Sequence, residues 1–316
     1  VAASALGRSL GIPLAGTPGQ WNAITDVPGV QVGYTTLIQG ESVRTGVTAI
    51  HPRGRDGAGD PVAAGFFSQN GNGEMTGVSW INESGSFSGP VAIIAWTVKH
   101  HPHLADAWLL PVAAETWDGY LNDINGQHVT QQACLDALEA AGPGPVEEGS
   151  VGGGTGMNCY QFKGGSGSAS RLVGYAGTTY SVVVFVQANF RSREELTIAG
   201  LPVGQLLADD NPMAEYFALP AGAGSVIAIV ATDAPLLPQQ CAALARRVTL
   251  GLARTGTTGS HFSGDLFLTF STANPRGITP GVTTYRPGAE GKYDQLRFIP
   301  WGFLDPFYAA IVQGTE

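Results

Sequence analysis

The sequence is 316 residues long, 43% apolar and only 13% charged, with a formal net charge of −9. That length is enough for a large core in one domain or two. An acidic balance without a Lys/Arg cluster gives no support to nucleic-acid or membrane-surface binding, and no apolar run approaches the roughly 20 residues needed to span a bilayer.

The 45 glycines have no period, so they read as tight turns and close backbone approaches, not as a fibrous repeat. Neither a repeat nor a long linker is visible, and residues 1–316 read as one domain. Ile24 to Tyr34, "ITDVPGVQVGY", reads as a turn followed by a strand. Arg44–Ile50 and Pro90–Val98 read as further strands. Helical patterns follow at Ala105–Glu115 and at Thr130–Ala141, the second with Thr130 as its N-cap. "RLVGYA" and Thr179–Asn189 form a hairpin pair. Ser225–Ala231 is β-branched and apolar on both faces, as in a fully covered strand. Pro235–Thr255 reads as one long helix opening near proline, Leu266–Phe270 as a strand, and Leu304–Val312 as a closing helix. Strands apolar on both faces, mixed with helices, predict helices covering sheets in layers. Cys134, Cys159 and Cys241 are odd in number and widely spaced, and read as free thiols. This fits a cytoplasmic protein or, with a leader removed ahead of Val1, a periplasmic one.

The chemistry-bearing positions begin at "AGAGSVIAIV". A serine hydroxyl needs a base before it can attack. If the chain were cut before Ser225, the new α-amine, with an ordinary pKa of about 8, could be that base. Gly224 suits such a cut because it adopts strained backbone cheaply. Read locally, the same residues make an ordinary Gly-Ser turn into a core strand. Ser263 and Asp265 of "FSGDLF" stand at i and i+2 on one strand face. Asn189 ends an apolar strand, where an amide can donate to an oxyanion or simply start a turn. "SVGGGTGMNCYQFKGGSGS" lacks the spacing of a phosphate loop. "HHPH" (His100, His101, His103) lacks zinc spacing and reads as a solvated loop.

Six stretches, taken in order, carry a resemblance: "NAITDVPGVQVGY", "GNGEMTG", "ETWDGYLNDING", "GSVGGGTGMNCYQFKGG", "VQANF", and "GSVIAIVATDAPLLPQQCAALARRVTLGLARTG" followed by "SGDLFLTFSTAN". From about Ile24 to Asn274 the chain resembles the self-cleaving aminopeptidases of peptidase family S58, which include β-peptidyl aminopeptidases and L-aminopeptidase/D-esterases. The resemblance implies an αββα sandwich like that of N-terminal-nucleophile hydrolases. It also implies self-cleavage between Gly224 and Ser225 into a large subunit, 1–224, and a small one, 225–316. Ser225 would be the nucleophile, Ser263 and Asp265 would orient its amine and relay its proton, and Asn189 would be the oxyanion donor. Tyr120 would help hold the reacting carbonyl, and Glu115, as a partly buried carboxylate, would bind the substrate ammonium. Asp118, Asn122 and Asp123 read as turn and cap groups. The implied reaction releases an N-terminal residue, an α- or β-amino acid, from a short peptide, amide or ester, with no cofactor or metal. The implied assembly contains several α/β pairs, usually four. A non-catalytic scaffold of the same fold and a related acyltransferase stand as alternatives. The second normally cleaves before threonine, and the first has no need of all five of Ser225, Ser263, Asp265, Asn189 and Glu115.

Overall fold

The computed structural model describes residues 7–91, 100–104, 109–216, 224–279 and 293–316. Its centre is made by the two runs buried along their whole length, β9 (Gly224–Thr232) and β10 (Ser263–Ser271). They pair in parallel, from Ser263 opposite Gly224 to Ser271 opposite Thr232. Parallel neighbours need a crossover, and the helices Pro238–Ala245 and Val248–Arg254 supply it. On the far side of β9 runs β8 (Thr178–Asn189), antiparallel, with Asn189 opposite Ser225. It turns at Ala176-Gly177, both at positive φ, into β7 (Gly165–Tyr175). Beyond β10 lie β3 (Val62–Ser68) and the short edge strand β4 (Ser86–Phe87). The six-stranded order is β4-β3-β10-β9-β8-β7.

Strand alternation sends Val226, Ala228, Val230 and Phe267 to one face, against Leu244, Val248, Phe307 and Ile311 of the crossover helices and the last helix, Asp305–Thr315. Ile227, Ile229, Leu266 and Leu268 go to the other face. There Val32 and Ile50 cover them, from a two-stranded ribbon of β1 (Gln31–Gln39) and β2 (Val43–His51). The helix Gln131–Glu139 covers that ribbon, with Ala137 and Leu138 on Ala49. The layers therefore run helix, sheet, sheet, helix, as expected, although the second sheet has only two strands among the described residues.

Thr130 caps its helix as read, its Oγ accepting the Ala133 amide at 3.2 Å. Pro235–Thr255 is not one helix. The Arg247 amide bonds back three residues to Leu244, tightening the turn between the two helices. The helix expected over Ala105–Glu115 is also corrected. Residues 105–108 lie outside the described residues, and Leu109 onward is extended, with Ala114 bridged to Met75. Pro111 has no amide to donate, and its carbonyl accepts the Thr76 hydroxyl. The strand expected at Pro90–Val98 lies outside the described residues apart from Pro90 and Val91.

Candidate active site

Ser225 is the second residue of β9 and is buried. Its alternation places the hydroxyl on the side of Ile227 and Ile229, where the Trp117 amide donates to its Oγ at 3.0 Å. A backbone donor already directed at this oxygen leaves the hydroxyl proton free for a base. Gly224 has no room for a side chain, since a Cβ would stand 2.5 Å from the Asn189 carbonyl oxygen.

Asn189 faces Ser225 across the ladder and shares its side of the sheet. Its Oδ1 accepts twice from Asn158, from the amide at 3.2 Å and from Nδ2 at 3.1 Å.

Ser263 and Asp265 alternate to the other face, with Phe267. The Ser263 hydroxyl donates to Asp265 Oδ1 at 2.5 Å. Asp265 Oδ2 takes Asn70 Nδ2 at 2.9 Å and Arg191 Nη2 at 3.2 Å, and the Asp265 amide donates to Asn70 Oδ1 at 2.7 Å. The ion pair is closed from water, with side-chain exposures of 2% for Arg191 and 1% for Asp265. Register sets Ser263 beside Gly224 and Gly264 beside Ser225. The Ser-Asp pair thus adjoins the backbone at the 224–225 junction, where an amine would emerge, and does not share a face with the Ser225 hydroxyl. Glycine at 264 lets the 70–73 loop press onto the head of β10, since a Cβ there would meet Gly73 Cα at 2.6 Å.

On the Ser225 side opens a mainly apolar cavity of about 360 Å³, walled by Ile50, Met157, Phe185, Ile227 and Ile229. Glu115, Asp118 and Gln187 are among its polar members, with Thr45, Thr48 and Thr116. Gln187 Nε2 donates to the Thr116 hydroxyl and so ties the loop bearing Glu115 and Trp117 to β8. Glu115 is exposed at the rim, not partly buried as read from the sequence, because the loop carrying it lies at the sheet's end, linked through the Glu115 amide to the Glu74 carbonyl. Asp118 is a turn group, accepting Asn122 Nδ2 at 3.0 Å, and it also lines the cavity. Tyr120 stands apart: its hydroxyl donates to the Pro212 carbonyl at 3.5 Å and its ring packs edge-on to Tyr216. His100 pairs with Glu139, and His101 bonds the Arg55 carbonyl. Trp117, Asn158, Asn70 and Arg191 were not legible as site residues. Trp117 acts through its backbone, Asn70 and Asn158 come from segments distant in sequence, and Arg191 follows Asn189 by two residues but reaches Asp265 only through the fold.

The four-layered fold, with two central parallel strands covered on both faces, is the architecture of the N-terminal-nucleophile hydrolases, and Ser225 stands at the head of one of those strands. The chain belongs to peptidase family S58, whose model matches residues 22–316. It is 47% identical to a β-peptidyl aminopeptidase of Sphingosinicella microcystinivorans, with 100% of this chain and 85% of that protein aligned. It is 43% identical to the β-peptidyl aminopeptidase of Sphingosinicella xenopeptidilytica, with 98% and 82% aligned. The structure of an L-aminopeptidase D-Ala-esterase/amidase from Ochrobactrum anthropi, a prototype for the serine aminopeptidases and a variant of the N-terminal-nucleophile hydrolase fold, superposes with a TM-score of 0.89 at 41% identity, covering 98% of this chain and 88% of that one. The protein is thus a serine aminopeptidase.

Proposed function

We propose that the chain matures by cutting itself between Gly224 and Ser225 and then removes the N-terminal residue of short peptides, amides or esters through an acyl-enzyme on Ser225. The observation that carries this reading is the Ser225 hydroxyl, buried at a glycine that admits no side chain and met by an aimed backbone donor. In maturation Ser225 Oγ attacks the Gly224 carbonyl. The peptide C–N bond breaks, the ester C–O bond forms, and water then hydrolyses the ester, leaving a carboxylate on Gly224 and an α-amine on Ser225.

In turnover that amine takes the Oγ proton as Oγ attacks the substrate carbonyl. The Ser263–Asp265 pair lies beside the amine and orients it and relays its proton, while Arg191 and Asn70 fix the carboxylate. Asn189 Nδ2 and the Trp117 amide receive the oxyanion, and Tyr120 turns from Pro212 to hold the same carbonyl. The proton passes to the leaving amine, and water releases the acyl group. Glu115 meets the substrate ammonium at the mouth of the cavity, whose apolar wall favours an N-terminal residue with an apolar side chain. The finer readings, an α- or a β-amino acid at that position and an assembly of several α/β pairs, draw support from the β-peptidyl relatives and from the low charge content.

Two measurements test this together. Wild-type protein should give fragments of residues 1–224 and 225–316 by mass spectrometry, and Ser225→Ala a single chain. One peptide assayed with and without an N-acetyl cap should lose nearly all kcat/KM when capped. An active, uncut wild type would end the self-cleavage reading, and equal rates on both peptides would end the ammonium reading.

A further inference from the structure

We infer that Asn158 is a positioning residue that fixes which way the Asn189 amide points. The inference rests on the oxyanion role proposed for Asn189. An Asn side chain presents an acceptor on one side and donors on the other, and only the donor side can stabilise an oxyanion. Asn189 is buried and ends β8. The group facing its amide on one side is the Asn158 backbone N–H, at 3.2 Å, which can only donate. The atom meeting it must therefore be Oδ1, whichever way the amide is built. Asn158 Nδ2 donates to the same oxygen at 3.1 Å and doubles the constraint. With Oδ1 held twice, Nδ2 faces away from Asn158, on the sheet side that Asn189 shares with Ser225, its direct partner in the ladder.

The platform for this is rigid. Asn158 opens β5 (Asn158–Cys159), which pairs with β6 (Phe162–Lys163) through a turn whose two central residues, Tyr160 and Gln161, both have positive φ. Neither is glycine, so the turn carries strain that its surroundings must hold. The Tyr160 amide donates to the Phe190 carbonyl at 2.7 Å, and the Tyr160 hydroxyl pairs with Thr255 at 2.6 Å. Arg193 donates to the Gln161 carbonyl at 2.7 Å and lies over Phe162. The hairpin is thus fastened to the residue following Asn189, so that Asn158 and Asn189 keep their distance.

The variants make opposite demands on the amide. Asn158→Ala removes one donor and keeps the backbone donor, so kcat should fall by about 3- to 10-fold, as for one neutral hydrogen bond. Asn158→Asp is nearly isosteric but its side chain presents only acceptors, which repel Oδ1 in competition with the retained backbone donor and favour the turned amide. Its kcat should fall by about 30- to 300-fold, towards the ~10²–10³ of losing an oxyanion donor. KM should stay within about twofold for both, since ground-state contacts are untouched. In an Asn189→Ala background, Asn158→Ala should cost nothing further, because Asn158 acts only through Asn189. Rates are to be taken per active site on cleaved protein. Asn158→Asp no slower than Asn158→Ala, or losses that add in the double variant, would overturn the inference. If Asn158→Asp does not fold, the Ala cycle decides alone. Asn189→Ala with wild-type kcat would instead remove the oxyanion assignment itself.

Discussion

At the scale of single residues, Arg191 is where local and global demands conflict. It sits at φ 80°, in the left-handed region that favours glycine, yet it carries a buried guanidinium. Such strain persists only when something else requires the side chain, and the ion pair with Asp265 is that requirement. Removing one partner of a buried pair leaves an uncompensated charge. Arg191→Ala should therefore cost about 3–5 kcal/mol in urea denaturation. Arg191→Gly loses the same pair but relieves the backbone, so it should be the milder change, by about 1–2 kcal/mol. If the two variants are equally stable, φ at 191 carries no strain; if both match wild type, the ion pair contributes nothing. Glu115 is a contrasting case. An exposed carboxylate at a cavity rim adds little to folding but meets a charged ligand, so Glu115→Gln should leave the melting temperature unchanged. It should lower kcat/KM for free-amine peptides by about 10- to 100-fold, the range of a hydrogen bond to a charged group, and leave N-capped substrates unaffected. Equal losses on both would separate Glu115 from the ammonium.

At the scale of elements, the outer ribbon is joined to its covering helix through a titratable group. His51 ends β2 and is buried against the helix Gln131–Glu139, its Nε2 3.3 Å from the Leu138 carbonyl. Burial, the largest influence, lowers its pKa from 6.5 to about 4, against a partly opposing pull from the Leu138 bond. Between those values the unfolded chain binds a proton that the folded chain refuses, so stability falls as pH drops through that window and is intact above it. The penalty is on the order of 3 kcal/mol. His51→Gln keeps a donor for Leu138 and cannot titrate. Its melting temperature should therefore fall less than that of wild type between pH 6.5 and pH 4, and parallel curves would show that His51 is not the linked group. The elements were unevenly legible. β9, β10 and the Thr130 cap could be read because apolar runs and capping chemistry are local. β3 was missed because Gly65 interrupts its pattern. That glycine is there for the crossover helix, since a Cβ would stand 2.1 Å from the Ala242 amide nitrogen, a contact made across 177 residues. The site divides the same way. Ser225, Asn189 and the Ser263–Asp265 pair follow from strand ends and motif, whereas the partners that aim them arrive by tertiary contact.

At the scale of the whole molecule, the proposed cut falls where it cannot separate the pieces. The sheet order β4-β3-β10-β9-β8-β7 places both strands found among the described residues of 225–316 in the middle, between β3 and β8 of the larger fragment. Releasing the small fragment would break two antiparallel ladders, Leu266–Ser271 against β3 and Ser225–Thr232 against β8. It would also open the cores on both faces, since Phe267 belongs to one and Leu268 and Phe270 to the other. Buried apolar surface is worth about 25 cal/mol per Å², and neither fragment retains a closed core alone. Dissociation and unfolding should therefore be one event. In graded urea, the loss of circular dichroism in the cleaved enzyme and the parting of its fragments on a sizing column should share a midpoint, and residues 225–316 expressed alone should be unfolded. The Ser225→Ala chain should unfold with nearly the same denaturant slope as the cleaved enzyme, because the slope follows the surface exposed and both bury the same interior. A small fragment that leaves at low urea while the large one keeps its circular dichroism would mean that the two central strands are not the keystone that the register makes them.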